Sequence, residues 1–335
     1  MNENRQSLRL IGLAILLAGV VPVILYGCNL FEMGGDGVPW NRAGGAKCAA
    51  LAARNMSSAE QWIAVISAFV CKPIYMLLSF MWIVWLWRRG EPDLVALRRG
   101  LIAFWLGENA CTVNYLCFGG LSDLWEYFHN FGMAVGFAFI AWAALEAVDR
   151  RVIKLSAPKE RCAILNLCKH CVKYESVPCK LQRVFKMLIP ASLVVAAMPL
   201  LAGIKVVSYQ AVVMGATQQY ELMVSSQLFE NYYCPAVAIL LLTASWGVMM
   251  LKKNDPVPAA KVLFAAALGP LGFGFMRLFL SGVFVQNLLW YVVWEELTEL
   301  LFVVAVGYVL WIFRHSLFAK PALCQTEETP TAASA

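Results

Sequence analysis

The sequence predicts an all-α polytopic membrane protein of about eight transmembrane helices, and three observations carry that expectation. Sixty-one per cent of the 335 residues are hydrophobic and only 14 per cent are charged, too much apolar surface for a soluble domain to hide. The apolar residues fall into long runs, each able to cross a ~30 Å hydrocarbon core at helical rise. Lysine and arginine gather in alternate connectors, as the positive-inside rule requires. The net charge of +6 would suit nucleic acid if it formed one patch. It is spread over connectors instead, so the expected partner is the lipid bilayer and not nucleic acid.

The runs lie at 8–28, 61–87, 97–118, 121–148, 185–208, 227–251, 258–283 and 286–313. The first is long enough to span and is not read as a cleavable signal. None shows the two-residue alternation of a transmembrane strand, so helices are expected over a closed barrel. With the N-terminus inside, 21 of the 27 lysines and arginines fall in inner segments, and the outer segments hold Arg42, Lys47 and Arg54. The expected location is therefore the inner membrane, with both termini cytoplasmic.

The expected organisation is a four-helix half over 1–148 with an outer loop at 29–60, and a basic cytoplasmic loop over 149–184. A second four-helix half follows over 185–314, then a disordered tail over 315–335. Pro22 answers to Pro199, and Trp125-Glu126 to Trp294-Glu295, which is compatible with two parallel repeats.

The cysteines divide by compartment. Cys28 and Cys48 flank the outer loop, as a disulfide or as free thiols. Cys71, Cys111, Cys117 and Cys234 lie within spans, where cysteine packs as a small apolar residue. Cys324 lies in the tail. The basic loop holds Cys162, Cys168, Cys171 and Cys179, spaced C-x5-C-x2-C-x7-C in a compartment that disfavours disulfides. Lys159, Arg161, Lys169, Lys173 and Lys180 offset the charge of a four-thiolate site. Such a set is expected to hold a [4Fe–4S] cluster, with zinc, or thiols that bind no metal, as the alternatives. The spacing resembles the iron–sulfur loop of the endonuclease III family of DNA glycosylases, C-x6-C-x2-C-x5-C. The resemblance covers under twenty residues and implies the ligand set, not the glycosylase activity.

Charged residues inside spans are costly, about 2.5–3.5 kcal/mol each near the bilayer centre. Lys72, Glu108, Glu126, His129, Glu230, Arg277, Glu295, Glu296 and Glu299 all fall in the outer halves of six spans. They are expected to form one intramembrane polar cluster that pairs internally, binds a cation, holds protons or lines water. Glu126-x-x-His129 and Glu296-x-x-Glu299 each place two groups on one helical face, the pattern of dinuclear metal sites in helix bundles. A proton relay or a quinone site uses the same residues with fewer ligands. Glu295-Glu296 also resembles the glutamate pair of CAAX-protease-like intramembrane peptidases. Leu300 stands where that family has arginine and Trp125 where it has phenylalanine before the histidine, so the likeness stops at the glutamates.

The expected function is an inner-membrane redox protein, in which the cysteine cluster exchanges electrons with a soluble donor and the acidic cluster serves protons or a quinone-like substrate. Two alternatives use the same residues: a cation or proton-coupled transporter with a structural zinc loop, and a non-catalytic assembly subunit bound to other membrane subunits.

Overall fold

The structure, a computed structural model, describes residues 51–54, 57–118, 122–153, 180–201, 207–222, 229–251, 256–283, 288–312 and 314. The expected first span at 8–28, the cysteine loop, the tail and the Cys28–Cys48 question lie outside these residues.

The described residues form seven helices longer than ten residues: α1 (Ser58–Leu86), α2 (Pro92–Phe118), α3 (Asp123–Ala147), α4 (Lys180–Ala197), α5 (Cys234–Leu251), α6 (Val257–Val283) and α7 (Leu288–Ile312). By length and apolarity four described segments can cross a membrane: Ser58–Leu86, Leu124–Ala147, Glu230–Leu251 and Val257–Leu280. Helices of this kind suit a bilayer, and the outward faces agree. On α1, Ile66, Phe69, Leu77, Phe80, Met81 and Val84 are all exposed. Helices α2 and α7 have 27 and 25 residues, enough to span. Their apolarity is lowered by Arg98, Arg99 and Glu108 on α2, and by Glu295, Glu296 and Glu299 on α7.

Local sequence explains the helix ends and their irregularities. Ser57 and Glu60 form a capping box at the start of α1: the Ser57 hydroxyl accepts from Glu60 N at 3.3 Å, and the Glu60 carboxylate accepts from Ser57 N at 3.0 Å. Two π-helical turns, Ser67–Cys71 and Phe229–Tyr233, each end two residues before a proline, Pro73 and Pro235. Proline has no N–H to donate and its ring crowds the carbonyl four residues back, so a widened turn relieves both conflicts. The two turns deliver Lys72 and Glu230 into the protein interior. Pro270 lies inside α6, which nevertheless continues to Val283.

The expected fifth span at 185–208 is shorter than its apolar run. Helix α4 passes into a 3-10 turn at Met198–Leu201, and the run's last residues begin a strand. Strands β1 (Leu51–Arg54), β2 (Val207–Val213) and β3 (Ala216–Leu222) form a sheet in that order, β1 parallel to β2 and β2 antiparallel to β3. Met214 and Gly215, both at positive φ, make the two-residue hairpin turn whose twist suits antiparallel strands.

The helices follow one another antiparallel, which puts the ends at Leu86, Pro92, Ala147 and Val257 together. Arg98 donates to the carbonyls of Leu86, Trp87 and Arg89 there, and Lys261 on α6 reaches Glu146 on α3. This is the basic end of the bundle. Helix α3 lies between α2 and α6, and glycines set both distances. A Cβ on Gly132 would meet Gly107 Cα at 2.6 Å, and one on Gly269 would meet the Phe137 carbonyl carbon at 2.3 Å. Close backbone approach of this kind is how helices associate without a hydrophobic drive.

Candidate functional site

Lys72, halfway along α1, is the first centre of charge. Its ammonium lies 2.5 Å from Glu108 Oε2 on α2 and 3.3 Å from Glu296 Oε1 on α7. Tyr75, one turn further along α1, shares both partners. Its hydroxyl oxygen is 2.8 Å from Glu108 Oε2, 2.8 Å from Glu296 Oε2, and accepts from Lys72 Nζ at 3.1 Å. Tyr75 is fully buried, as is Glu108.

Arg277, on α6, is the second centre, and it too is fully buried. Its Nε stands 3.0 Å from Glu230 Oε2, and its Nη2 stands 2.8 Å from Glu295 Oε1 and 3.0 Å from Glu299 Oε1. Its guanidinium carbon lies 4.9 Å from the centroid of the Phe273 ring, a cation–π contact. Helix α7 joins the two centres, with Glu296 serving Lys72 and Glu295 and Glu299 serving Arg277. Adjacent glutamates must diverge on a helix, so one helix can feed two cations.

His129 sits at the edge of the first centre. Its Nδ1 is 3.0 Å from the Gly107 carbonyl oxygen and 3.8 Å from Glu108 Oε1. A carbonyl only accepts, so Nδ1 carries the hydrogen and Nε2 is left as the basic nitrogen. The contact exists because Gly107 lets α3 approach so closely: a Cβ there would meet the His129 carbonyl oxygen at 3.0 Å.

Of the nine residues expected in one cluster, the structure brings eight into two adjoining centres. Glu126 stands apart: it accepts from Asn114 Nδ2 at 2.7 Å, while Asn114 Oδ1 accepts from Ser122 N at 3.0 Å. That arrangement ties the tip of α2 to the start of α3. Glu126 and His129 thus engage different partners and do not converge as a ligand pair. Among the described residues there is no group of three histidine, cysteine or acidic side chains placed to hold a metal ion. The four expected metal ligands, Cys162, Cys168, Cys171 and Cys179, lie outside the described residues.

Tyr75 and Asn114 were not expected as site residues. A signal for Tyr75 existed, since it lies three residues from Lys72 and so shares its helical face. Nothing in an apolar run marks one asparagine as a partner for a glutamate twelve residues away.

Among the described residues charge does not balance. Glu108, Glu230, Glu295, Glu296 and Glu299 face Lys72 and Arg277, five carboxyl groups against two permanent cations. Glu108 Oε1 and Glu299 Oε2 are buried and have no hydrogen-bond partner among the described residues. Burying ions is tolerable only when each is paired and hydrogen-bonded, and protons or a bound cation would neutralise the surplus left among the described residues.

Comparison with known proteins places no relative beside this site: the chain matches no family model, no curated protein and no solved structure.

Proposed function

We propose that this chain is a proton-coupled membrane transporter in which the Lys72 and Arg277 centres bind and release the coupling proton. The observation that carries the reading is the Tyr75 hydroxyl between two carboxyl groups, 2.8 Å from an oxygen of each. The hydroxyl has one hydrogen to give, and Lys72 already donates to its oxygen. The second 2.8 Å contact is a hydrogen bond only when Glu108 or Glu296 carries a proton, so the geometry has room for one transferable proton. A proton also meets less repulsion from Lys72 and Arg277 than a metal ion would, because it becomes part of a neutral carboxylic acid. In this reading α2, α4 and α7 also span the bilayer, residues 8–28 supply the eighth helix, and both termini lie in the cytoplasm.

The test is infrared difference spectroscopy of the purified protein between acidic and alkaline buffer. A carboxylic acid C=O band that appears and disappears with pH, and is lost in Glu296→Gln and Glu108→Gln, supports the reading. Carboxyl groups that stay in one form across the range would reduce the network to a staple.

The four-cysteine loop carries a second proposal, on its spacing alone. Cys162, Cys168, Cys171 and Cys179 hold a metal on the cytoplasmic side, either an iron–sulfur cluster, which would add electron transfer with a soluble donor, or structural zinc. Metal analysis and visible absorption of the purified protein separate the two. A colourless zinc-loaded sample removes the redox function and leaves the proton site untouched.

A further inference from the structure

Directly beside the polar network lies a layer of aromatic rings drawn from four helices. Phe104 on α2, Phe137 on α3, Phe273 on α6 and Phe302 on α7 pack around one another. Ring centroids are 4.8 Å apart for Phe137 and Phe273, 5.3 Å for Phe137 and Phe302, 5.7 Å for Phe104 and Phe302, and 6.2 Å for Phe104 and Phe137. The Tyr75 ring on α1 adds a fifth member, 5.9 Å from Phe104, with its hydroxyl turned to the carboxylates.

Every ring is displaced from the network in the same direction. Phe104 precedes Glu108 by four residues on α2, and Phe273 precedes Arg277 by four on α6. Phe302 follows Glu299 by three on α7, which runs the opposite way, and Phe137 follows His129 by eight on α3. All four therefore lie on the side toward the basic end. The next buried ion group in that direction is Lys261 with Glu146 and Asp149, and Lys261 is sixteen residues from Arg277 on α6, ~24 Å at helical rise. Between them the buried hydroxyls of Ser79 and Ser245 donate to the carbonyls of Met76 and Ala260, the buried indole N–H groups of Trp82 and Trp142 have no hydrogen-bond partner among the described residues, and the other described core side chains there are apolar.

We infer that this aromatic layer is the barrier that confines proton exchange of the network to the face opposite the basic end. The inference rests on the proton reading given above. A proton crosses protein along water or hydrogen-bonding groups, and four phenyl rings supply none; apolar constrictions block passage by excluding water. The layer is held shut by backbone packing as well as ring packing. Gly269 allows α6 to lie against the Phe137 backbone, so the ring on which three of the four contacts converge cannot withdraw while α3 and α6 stay docked. Transport would then require α6 to part from α3 at this glycine.

The test is passive proton flux into liposomes that contain the full-length protein, driven by a potassium diffusion potential with valinomycin and read by an enclosed pH dye. Wild type and Phe137→Leu, which stays large and apolar, should be tight. Phe137→Ala and Phe302→Ala should each leak at least about tenfold faster, because a ring-sized void admits water. Tight liposomes with both alanine variants folded would overturn the barrier. The double variant Phe137→Ala, Glu296→Gln separates the two ideas. A leak abolished by the second change supports both, whereas a leak that persists keeps the barrier and overturns the network as the proton path.

Discussion

Among the described residues there are two buried sets of ions, and they are built on different terms. At the basic end Lys261 pairs with Glu146 at 2.9 Å and with Asp149, while Arg151 grips Asp93 through two bonds of 2.7 and 3.2 Å. These groups lie within the first or last turns of α2, α3 and α6 or in the turn after α3, and the adjoining sequence supplies Arg88, Arg89, Arg98, Arg99 and Arg150. Cations are plentiful there, and Arg151 is itself partly exposed. In the middle of the bundle, among the described residues, the cations are two, the carboxyl groups five, and no other lysine or arginine lies on the helices at that depth. A set that only stapled helices together would be built like the first. An acidic surplus at depth is costly, and that cost is understandable if protons come and go.

Arg277→Met should break the comparison most severely. It strands Glu230, Glu295 and Glu299 in the bundle interior, and removing one member of a buried ion group costs about 3–5 kcal/mol. The measurement is thermal unfolding in detergent. Adding Glu230→Gln and Glu299→Gln should restore part of the loss, which a void left by arginine would not allow. At the basic end Lys261→Met should cost less, about 2–3 kcal/mol, since the change lies near helix ends where solvent relaxes stranded carboxylates. Its protonatable carboxyl band should match that of wild type. If Lys261→Met altered that band as much as Arg277→Met does, the distinction between the two regions would be lost.

How far these regions could be read from sequence depends on the kind of signal each residue sends. A charge in an apolar run is conspicuous because its cost in lipid is large, and so Lys72, Glu108, His129, Glu230, Arg277 and the three glutamates of α7 stood out. Helical type and the four membrane-capable segments were legible for the same reason, as apolar length is a direct demand of the bilayer. The hairpin at Val207–Leu222 was hidden because its first residues continue the apolar run of α4, and hydropathy does not register the turn at Met214 and Gly215. The π turns before Pro73 and Pro235 were hidden because they are backbone events. The glycine contacts between α2 and α3 were hidden because each needs two helices, and one sequence does not say which helices meet. Glu126 was placed in the cluster on depth alone, and Asn114 takes it elsewhere.

Those glycine contacts supply a prediction of intermediate size. Gly107→Ala puts a methyl group 3.0 Å from the His129 carbonyl oxygen and 3.2 Å from Gly132 Cα, on two backbones that must separate by a few tenths of an ångström. The expected cost is about 1–3 kcal/mol, the usual range for overpacking. The same shift lengthens the bond from His129 to the Gly107 carbonyl, so the imidazole resonance in NMR spectra of labelled protein should move. The basic end, which these glycines do not touch, should keep its ion pairs.

The smallest change is the most discriminating. Tyr75→Phe removes one oxygen and keeps the ring against Phe104, leaving both ion pairs of Lys72 intact. Loss of one buried hydroxyl among charged partners should cost about 1–2 kcal/mol, well below the effect at Arg277. Yet among the described residues the hydroxyl is the only group that touches both Glu108 and Glu296 besides Lys72 itself. Without it the proton loses the bridge between the two carboxyl groups, and each becomes a separate acid next to one ammonium. The carboxylic C=O band of Tyr75→Phe should therefore shift to the position of a less strongly hydrogen-bonded acid, with its pH midpoint moved as well. A band unchanged in position and midpoint would mean that the transferable proton resides at the Arg277 centre, on Glu230, Glu295 or Glu299, and that the Lys72 centre is the staple.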